Sequence, residues 1–272
     1  MSTPASDKVF AGSVARLYES HLVPLIFEAY ATDIAQRVAA MPASRVLEIA
    51  AGTGVVTRRL ARLLPADVAI IATDLNQPML DMAAEVGTER AVEWWQADAM
   101  RLPFDDGMFD AVVCQFGAMF FPDKAKAFSE ARRVLRPGGR LLFNVWDRIE
   151  ENEFAHTVTQ ALASVFTQDP PRFMARTPHG YHDVALIAQD LQSAGFAAAA
   201  RADTLAARSR AASPRMAAVA YCQGTPLRNE IEARDSARLG EATDAAEQAI
   251  AQQFGSGPVD GKIQAHIFAV ER

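Results

Sequence analysis

VLEIAAGTGVVT, residues 46–57, is the stretch on which the fold turns. Arg45–Ile49 is apolar and β-branched enough for a buried strand, and Ala50-Ala51-Gly52-Thr53-Gly54 then interrupts it. From Val55 to Leu64 the apolar side chains fall at Val56, Leu60, Leu63 and Leu64, the spacing of one helix face. A strand therefore runs through a glycine turn into a helix. The glycines let the backbone adopt positive φ and come close to a ligand, and the helix start offers unpaired N–H groups. Gly-x-Gly alone occurs in many turns, so its weight depends on the residues farther along the chain.

Outward from it, short β-branched runs alternate with helical stretches. Further strands are expected at Val68–Thr73, near Val92–Gln96, at Ala111–Gln115 and at Arg140–Trp146, with a helix over Lys124–Leu135 stopped by Arg136-Pro137-Gly138-Gly139. This alternation predicts an α/β fold, a doubly wound and mostly parallel sheet with helices on both faces. Ahead of it, Ser13–Met41 reads as amphipathic helices broken at Pro24. Behind it come a helix at Glu153–Phe166, a Pro- and His-bearing loop at Pro170–His182, a helix at Asp183–Ala194, a strand within Phe196–Ala207, a helical Pro226–Phe254 and a last strand at Lys262–Val270. The reading is one domain: a helical cap over 1–44, a cofactor-binding half over 45–150 and a substrate-side half over 151–272.

Three features say what the turn holds. The third glycine of a dinucleotide fingerprint is absent, because Thr57 stands there, so a pyrophosphate is not the favoured ligand. Asp74 follows the second strand about 20 residues beyond Gly54, where a carboxylate can accept from both hydroxyls of a ribose. Asp98 follows the third strand and can accept from an adenine amino group, with Leu75 and Met100 on either side of the ring. The plainer readings are a helix cap for Asp74 and a turn aspartate before Pro103 for Asp98.

Taken in order, VLEIAAGTGVVT (46–57), IIATDLN (70–76), WWQADAMRLPF (94–104), FDAVVCQFGAMFF (109–121) and LRPGGRLLFNVW (135–146) resemble the motifs of class I S-adenosylmethionine-dependent methyltransferases, particularly the ubiquinone and menaquinone C-methyltransferase-like subgroup. The resemblance covers roughly residues 45 to 150. It implies a seven-stranded Rossmann-like sheet with an N-terminal helical lid and a helical insertion before the last strand. It also implies S-adenosylmethionine as cofactor, with Glu48, Ala50, Ala51, Gly52 and Gly54 around its methionine part. Asp74 would take the ribose, Asp98 the adenine, and Gln115 and Phe116 would lie beside the sulfonium; Leu75, Met79, Ala99, Met100 and Phe120 complete the expected contacts. One departure is Ala50, which stands where the family carries its first glycine.

Methyl transfer from a sulfonium is an in-line displacement, so alignment and exclusion of water matter more than a dedicated base. Phe116, Phe120 and Phe121, with Tyr18 or Tyr30, are candidates to face the sulfonium, or else plain core. Should the acceptor have to lose a proton, His179 or His21 would serve as base, with Tyr18 nearby. Both segments that carry these residues, Phe10–Tyr30 and Pro170–His182, are long enough to close over the site. His179 and His182 lack a third ligand at the usual spacing, so no metal is expected.

Composition bounds the rest. With 50% hydrophobic and 22% charged residues the chain is ordinary globular protein, and a net charge of −6 gives no basic footprint for nucleic acid. No apolar run approaches the roughly 20 residues of a membrane span, and MSTPASDKVF is not a secretory signal. Cys114 and Cys222 are the only cysteines and read as buried apolar residues. A cytoplasmic enzyme acting on a small-molecule acceptor is the expectation, with a homodimer left open. The rival readings are a nicotinamide-dependent oxidoreductase and a non-catalytic cofactor-binding regulator.

Overall fold

A computed structural model describes residues 13–272. Its first strand, β1, spans Arg45–Ile49 as expected, and the glycine turn leads into α3, Val55–Leu63. The two helices before it are α1 (Ser13–Leu17) and α2 (Glu28–Ala39), joined by a π-helix over Tyr18–Phe27. After α3 the chain alternates β2 (Ala69–Asp74), α4 (Gln77–Val86), β3 (Glu93–Gln96), β4 (Phe109–Gln115), α5 (Lys124–Val134) and β5 (Leu135–Trp146). The second half holds α6 (Glu153–Val165), α7 (Phe173–Arg176), α8 (Val184–Ser193), β6 (Arg201–Ala211), α9 (Pro214–Gln223), α10 (Leu227–Asp235), α11 (Leu239–Phe254) and β7 (Val259–Glu271).

The seven strands form one sheet in the order β3-β2-β1-β4-β5-β7-β6. β7 runs antiparallel to both of its neighbours, and the other pairings are parallel. Every residue of β4 is buried, which is what a central strand covered by helices on both faces requires. The order reverses between β1 and β4, and a ligand crevice is expected beyond the carboxyl ends of strands at such a switch point. At the opposite end, Asp110 accepts from the backbone N–H groups of Ser44 and Arg45 and pairs with Arg136, pinning the starts of β1 and β5 beside β4.

Four expectations are corrected by the structure. Pro24 does not break the N-terminal helices; it lies inside the π-helix, whose wider turn changes which carbonyls need partners. Arg136–Gly139 does not separate α5 from β5: Leu135 already pairs with Phe109, and the register shifts between Phe109 and Ala111. Residues 170–182 are not an open loop, since α7 lies there and Phe173, Met174 and Tyr181 are buried. Helix α9, capped by Ser213 with Pro214 at its first position, was not expected at all. The cap segment is structural at its centre, where Tyr30, Ile34 and Ala35 are fully buried, and Phe10 lies outside the described residues.

Candidate active site

Beyond Ile49 the chain turns with Ala50 at φ 54°, Gly52 at φ 57° and Gly54 at φ 82°. Glycine takes such angles freely, whereas an L-residue there carries roughly 1–2 kcal/mol of strain. Ala50 and Phe116 (φ 50°) are the non-glycine residues with positive φ among those described, and they sit at the carboxyl ends of β1 and β4, on either side of the switch point. The turn at Ala50 fits because Gly117 lacks a side chain: a Cβ there would lie 2.5 Å from the Cβ of Ala50. Phe116 is held by its N–H, which donates to the Asn144 side chain at 2.9 Å.

Asp74, at the end of β2, is buried beside this turn. Its Oδ2 accepts from Gly52 N–H at 2.9 Å and its Oδ1 from Asn76 N–H at 2.8 Å. Burial raises its carboxyl above the ordinary aspartate range against the pull of those hydrogen bonds. Asp98 lies at a turn where its Oδ1 accepts from Met100 N–H at 2.9 Å. Together they line a cleft of about 870 Å³, counted to its open mouth, with Tyr18, Ala50, Gly52, Leu75, Asn76, Met79, Ala97, Ala99, Met100, Gln115, Phe116, Gly117, Phe120, Phe121 and Pro122. Leu75 is 48% exposed in that lining, an apolar side chain left where a flat ring can lie.

Next to the cleft is a second, apolar chamber of about 440 Å³, and Tyr18, Phe116 and Phe120 line both. Its walls come from the π-helix, β5, α7 and α9. Phe116 stacks on Trp146 with centroids 3.8 Å apart, and Tyr30 meets both rings edge-on at 5.3 Å. Tyr18 stacks on Phe27 at 5.1 Å, and burial together with Asp74 and Glu19 raises its phenol, so it stays protonated.

The residues expected at the site thus divide. Ala50, Gly52, Asp74, Leu75, Met79, Asp98, Ala99, Met100, Gln115, Phe116, Phe120 and Tyr18 meet around one cleft. Glu48, Ala51 and Gly54 do not line it. Glu48 lies beneath the turn, where Thr57 donates to its Oε2 at 2.6 Å and burial pushes its carboxyl up to about 8. Gly54 serves packing: a Cβ would sit 2.9 Å from Trp94.

The two histidines are corrections, for neither lines the cleft or the chamber. His179 is 4% exposed, its Nδ1 lies 2.8 Å from the Asp147 carbonyl, and its ring is behind Trp146 at 6.0 Å. Burial lowers it to about 4, so it is neutral at physiological pH and walled off. The ring of His21 is instead paired with Ser20 on the exposed side of the π-helix. Trp146, the last residue of the motif over 135–146, and Tyr221, which lies in no motif, were not expected at the site and are chamber residues. The Ser213-Pro214 helix start was the available signal for Tyr221.

Comparison with known proteins adds the family context. Residues 47–143 match the model of a methyltransferase domain family. A ubiquinone/menaquinone biosynthesis C-methyltransferase from Teredinibacter turnerae is 30% identical over 204 residues, covering 70% of this chain and 77% of that enzyme. An Escherichia coli enzyme of the same description is 33% identical over 164 residues, 56% of this chain and 65% of that one. Among solved structures, the YcgJ protein of Bacillus subtilis superposes with TM-score 0.57 at 19% identity, over 90% of this chain and 99% of that one. Phosphoethanolamine N-methyltransferase 2 of Haemonchus contortus, solved with S-adenosyl-L-methionine, does so with TM-score 0.57 at 18% identity, over 96% and 56%. These two likenesses show a shared fold. Among the described residues no helix is long and apolar enough to cross a membrane, and no cluster of His, Cys, Asp and Glu could hold a metal.

Proposed function

The chain belongs to the S-adenosylmethionine-dependent methyltransferase family, and on that premise we propose that the open cleft holds the cofactor while the apolar chamber beside it holds a small-molecule acceptor. One observation carries this reading: the cleft that contains the buried Asp74 carboxylate meets the chamber at Tyr18, Phe116 and Phe120. The residues fit the cofactor. Gly52 holds φ 57°, which strains any L-residue, and a Cβ there would stand in contact with Met79 Cε at 3.6 Å and Tyr18 Oη at 3.8 Å, both from residues that line the cleft. Asp74 receives two backbone N–H groups and, at 3.4 Å, the Asn76 side-chain amide, which leaves a lone pair on Oδ2 for a ribose hydroxyl and lets a second hydroxyl displace the long Asn76 contact. Asp98 takes the adenine amino group, and Leu75 and Met100 take its faces.

Bound there, S-adenosylmethionine supplies an electrophilic methyl group on a sulfonium. The chain's own part is alignment and dryness. Tyr18, Phe116 and Phe120 present aromatic surface where the two cavities meet, which favours a cation by about 0.5–2 kcal/mol, and the apolar walls keep water from competing. Among the described residues none that lines the chamber is a carboxylate, histidine or cysteine, and Tyr18 holds its proton. The acceptor therefore brings its own nucleophilicity, through a lone pair or a proton acidic enough to leave to solvent.

Incubating the protein with methyl-labelled cofactor and a panel of small acceptors tests this. Label in an acceptor, matched by S-adenosylhomocysteine, is expected. Stoichiometric cofactor binding with no turnover on any acceptor would favour the regulatory reading instead.

A further inference from the structure

Three arginines of α3, Arg58, Arg59 and Arg62, line a groove that shares no lining residue with the cofactor cleft. Arg59 reaches Glu28 at 3.9 Å and Arg62 reaches Glu89 at 2.7 Å, and in each pair the glutamate is more than half exposed, where an ion pair contributes little. Arg58 is placed differently. Its Nη2 donates to Glu19 Oε1 at 2.8 Å and its Nη1 to the Thr53 carbonyl at 2.6 Å, with the two charged side chains only 17% and 19% exposed. One guanidinium therefore joins the middle of the glycine turn to the π-helix.

Both ends of that link depend on it. Thr53 lies between Gly52 at φ 57° and Gly54 at φ 82°, and its Oγ1 is buried without a hydrogen-bond partner among the described residues, so Arg58 holds the turn by the Thr53 carbonyl. Glu19 Oε2 is likewise sealed without a partner, which leaves Arg58 to answer that carboxylate. Taking away one member of such a pair strands the charge of the other. Glu19 in turn follows Tyr18, which lines both cavities and whose Oη stands 3.8 Å from where a Cβ of Gly52 would lie. A turn and a tyrosine held in place before the cofactor arrives spare it the cost of ordering them.

We propose that Arg58 is a positioning residue that locks the glycine turn and the π-helix to each other, so that Tyr18 stays over Gly52 and cofactor affinity depends on the Glu19–Arg58 pair. The inference rests on the methyltransferase reading above and adds a coupling carried by two residues that line neither the cleft nor the chamber. The planar fork of arginine suits the task, since the point charge of a lysine cannot serve two separated acceptors in the same way.

Calorimetry with S-adenosylhomocysteine on the full chain, paired with amide hydrogen exchange and thermal melts, tests this. Glu19→Gln keeps the shape of the side chain and removes its charge; affinity should fall about 3- to 10-fold, and at least as far in Arg58→Met. The double variant should bind no more weakly than Arg58→Met alone, because the two side chains act through one contact. Should Arg58→Met not fold, Arg58→Lys takes its place in the same cycle. In the wild type, bound S-adenosylhomocysteine should slow exchange over residues 14–27 as well as 50–57, and in Glu19→Gln the slowing over 14–27 should shrink. A lower Tm with wild-type affinity in the single variants, or losses of affinity that simply add in the double variant, would reduce the pair to a brace and overturn the inference while the methyltransferase reading stands. Failure of the wild-type chain to bind S-adenosylhomocysteine would sink that reading and this inference with it.

Discussion

Asp74→Ala removes the carboxylate around which the cleft is organised. Oδ2 accepts from Gly52 N–H, and Oδ1 accepts from Asn76 N–H and, at 3.4 Å, from the Asn76 side-chain amide; a carboxylate offers about four lone-pair sites in all, so Oδ2 has a site for one ribose hydroxyl and the second is gained where the long Asn76 amide contact gives way. A hydrogen bond to a charged group contributes about 1.5–3 kcal/mol. Water competes for the same sites in the free protein, so the net loss for the pair is set at about 1–3 kcal/mol, a fall of about 5- to 150-fold in affinity for S-adenosylhomocysteine. Asp74→Asn should also weaken binding, because its amide NH2 must face one of the two backbone N–H groups. The pH dependence has a definite sign. With its carboxyl raised by burial, Asp74 gains a proton at higher pH than an ordinary aspartate, so wild-type affinity should decline early on acidification and the Asn variant should lack that decline. Isothermal calorimetry across pH, paired with thermal melts, reads both. Unchanged affinity in an Asp74→Ala protein of unchanged Tm would refute the ribose role and leave Asp74 as a brace for the turn.

Three other substitutions probe what surrounds the cleft. Gly54→Ala meets both a φ of 82° and Trp94 at 2.9 Å, so strain and overpacking together should cost about 2–4 kcal/mol in urea unfolding; a loss below about 1 kcal/mol would show that Trp94 yields freely. Glu48 has its carboxyl pushed up to about 8 from 4.5, so the native state keeps a proton that the unfolded chain releases. Its contribution to stability is full below 4.5 and fades as pH rises to about 8. Wild-type Tm should therefore fall across that window more steeply than that of Glu48→Gln, and parallel curves would contradict the burial argument. His179→Gln should lower Tm, because the buried ring is paired with the Asp147 carbonyl, yet leave the pH profile of turnover in place. A folded variant slowed by about 100-fold or more would return His179 to the role of base.

The first half of the fold was legible because β1, β2 and β4 are short and β-branched, β3 carries two tryptophans, and each of these strands ends at a turn or loop. β1 falls where expected, and β2, β3 and α3 within a residue or two. The second half was harder for a physical reason. Strand β6, RADTLAARSRA, has little intrinsic β preference and is held by its antiparallel ladder with β7, running from Arg201–Ala269 to Ala211–Val259, which no local pattern announces. The site shows the same divide. Asp74, Asp98 and the glycine turn belong to local strand–loop–helix units, so their approach to one cleft could be anticipated. The histidines stand out for their chemistry, and only packing decides that His179 lies behind Trp146. Tyr221 carries no such signal of its own, because it sits in an Ala-rich helix whose start at Ser213-Pro214 is its only local mark.

The central claim is that the cleft is built for S-adenosylmethionine and not for a dinucleotide. Titrating the full chain with S-adenosylhomocysteine and, separately, with NAD measures that directly. Micromolar binding of S-adenosylhomocysteine with no comparable binding of NAD is the predicted result, and tighter binding of NAD would contradict the account.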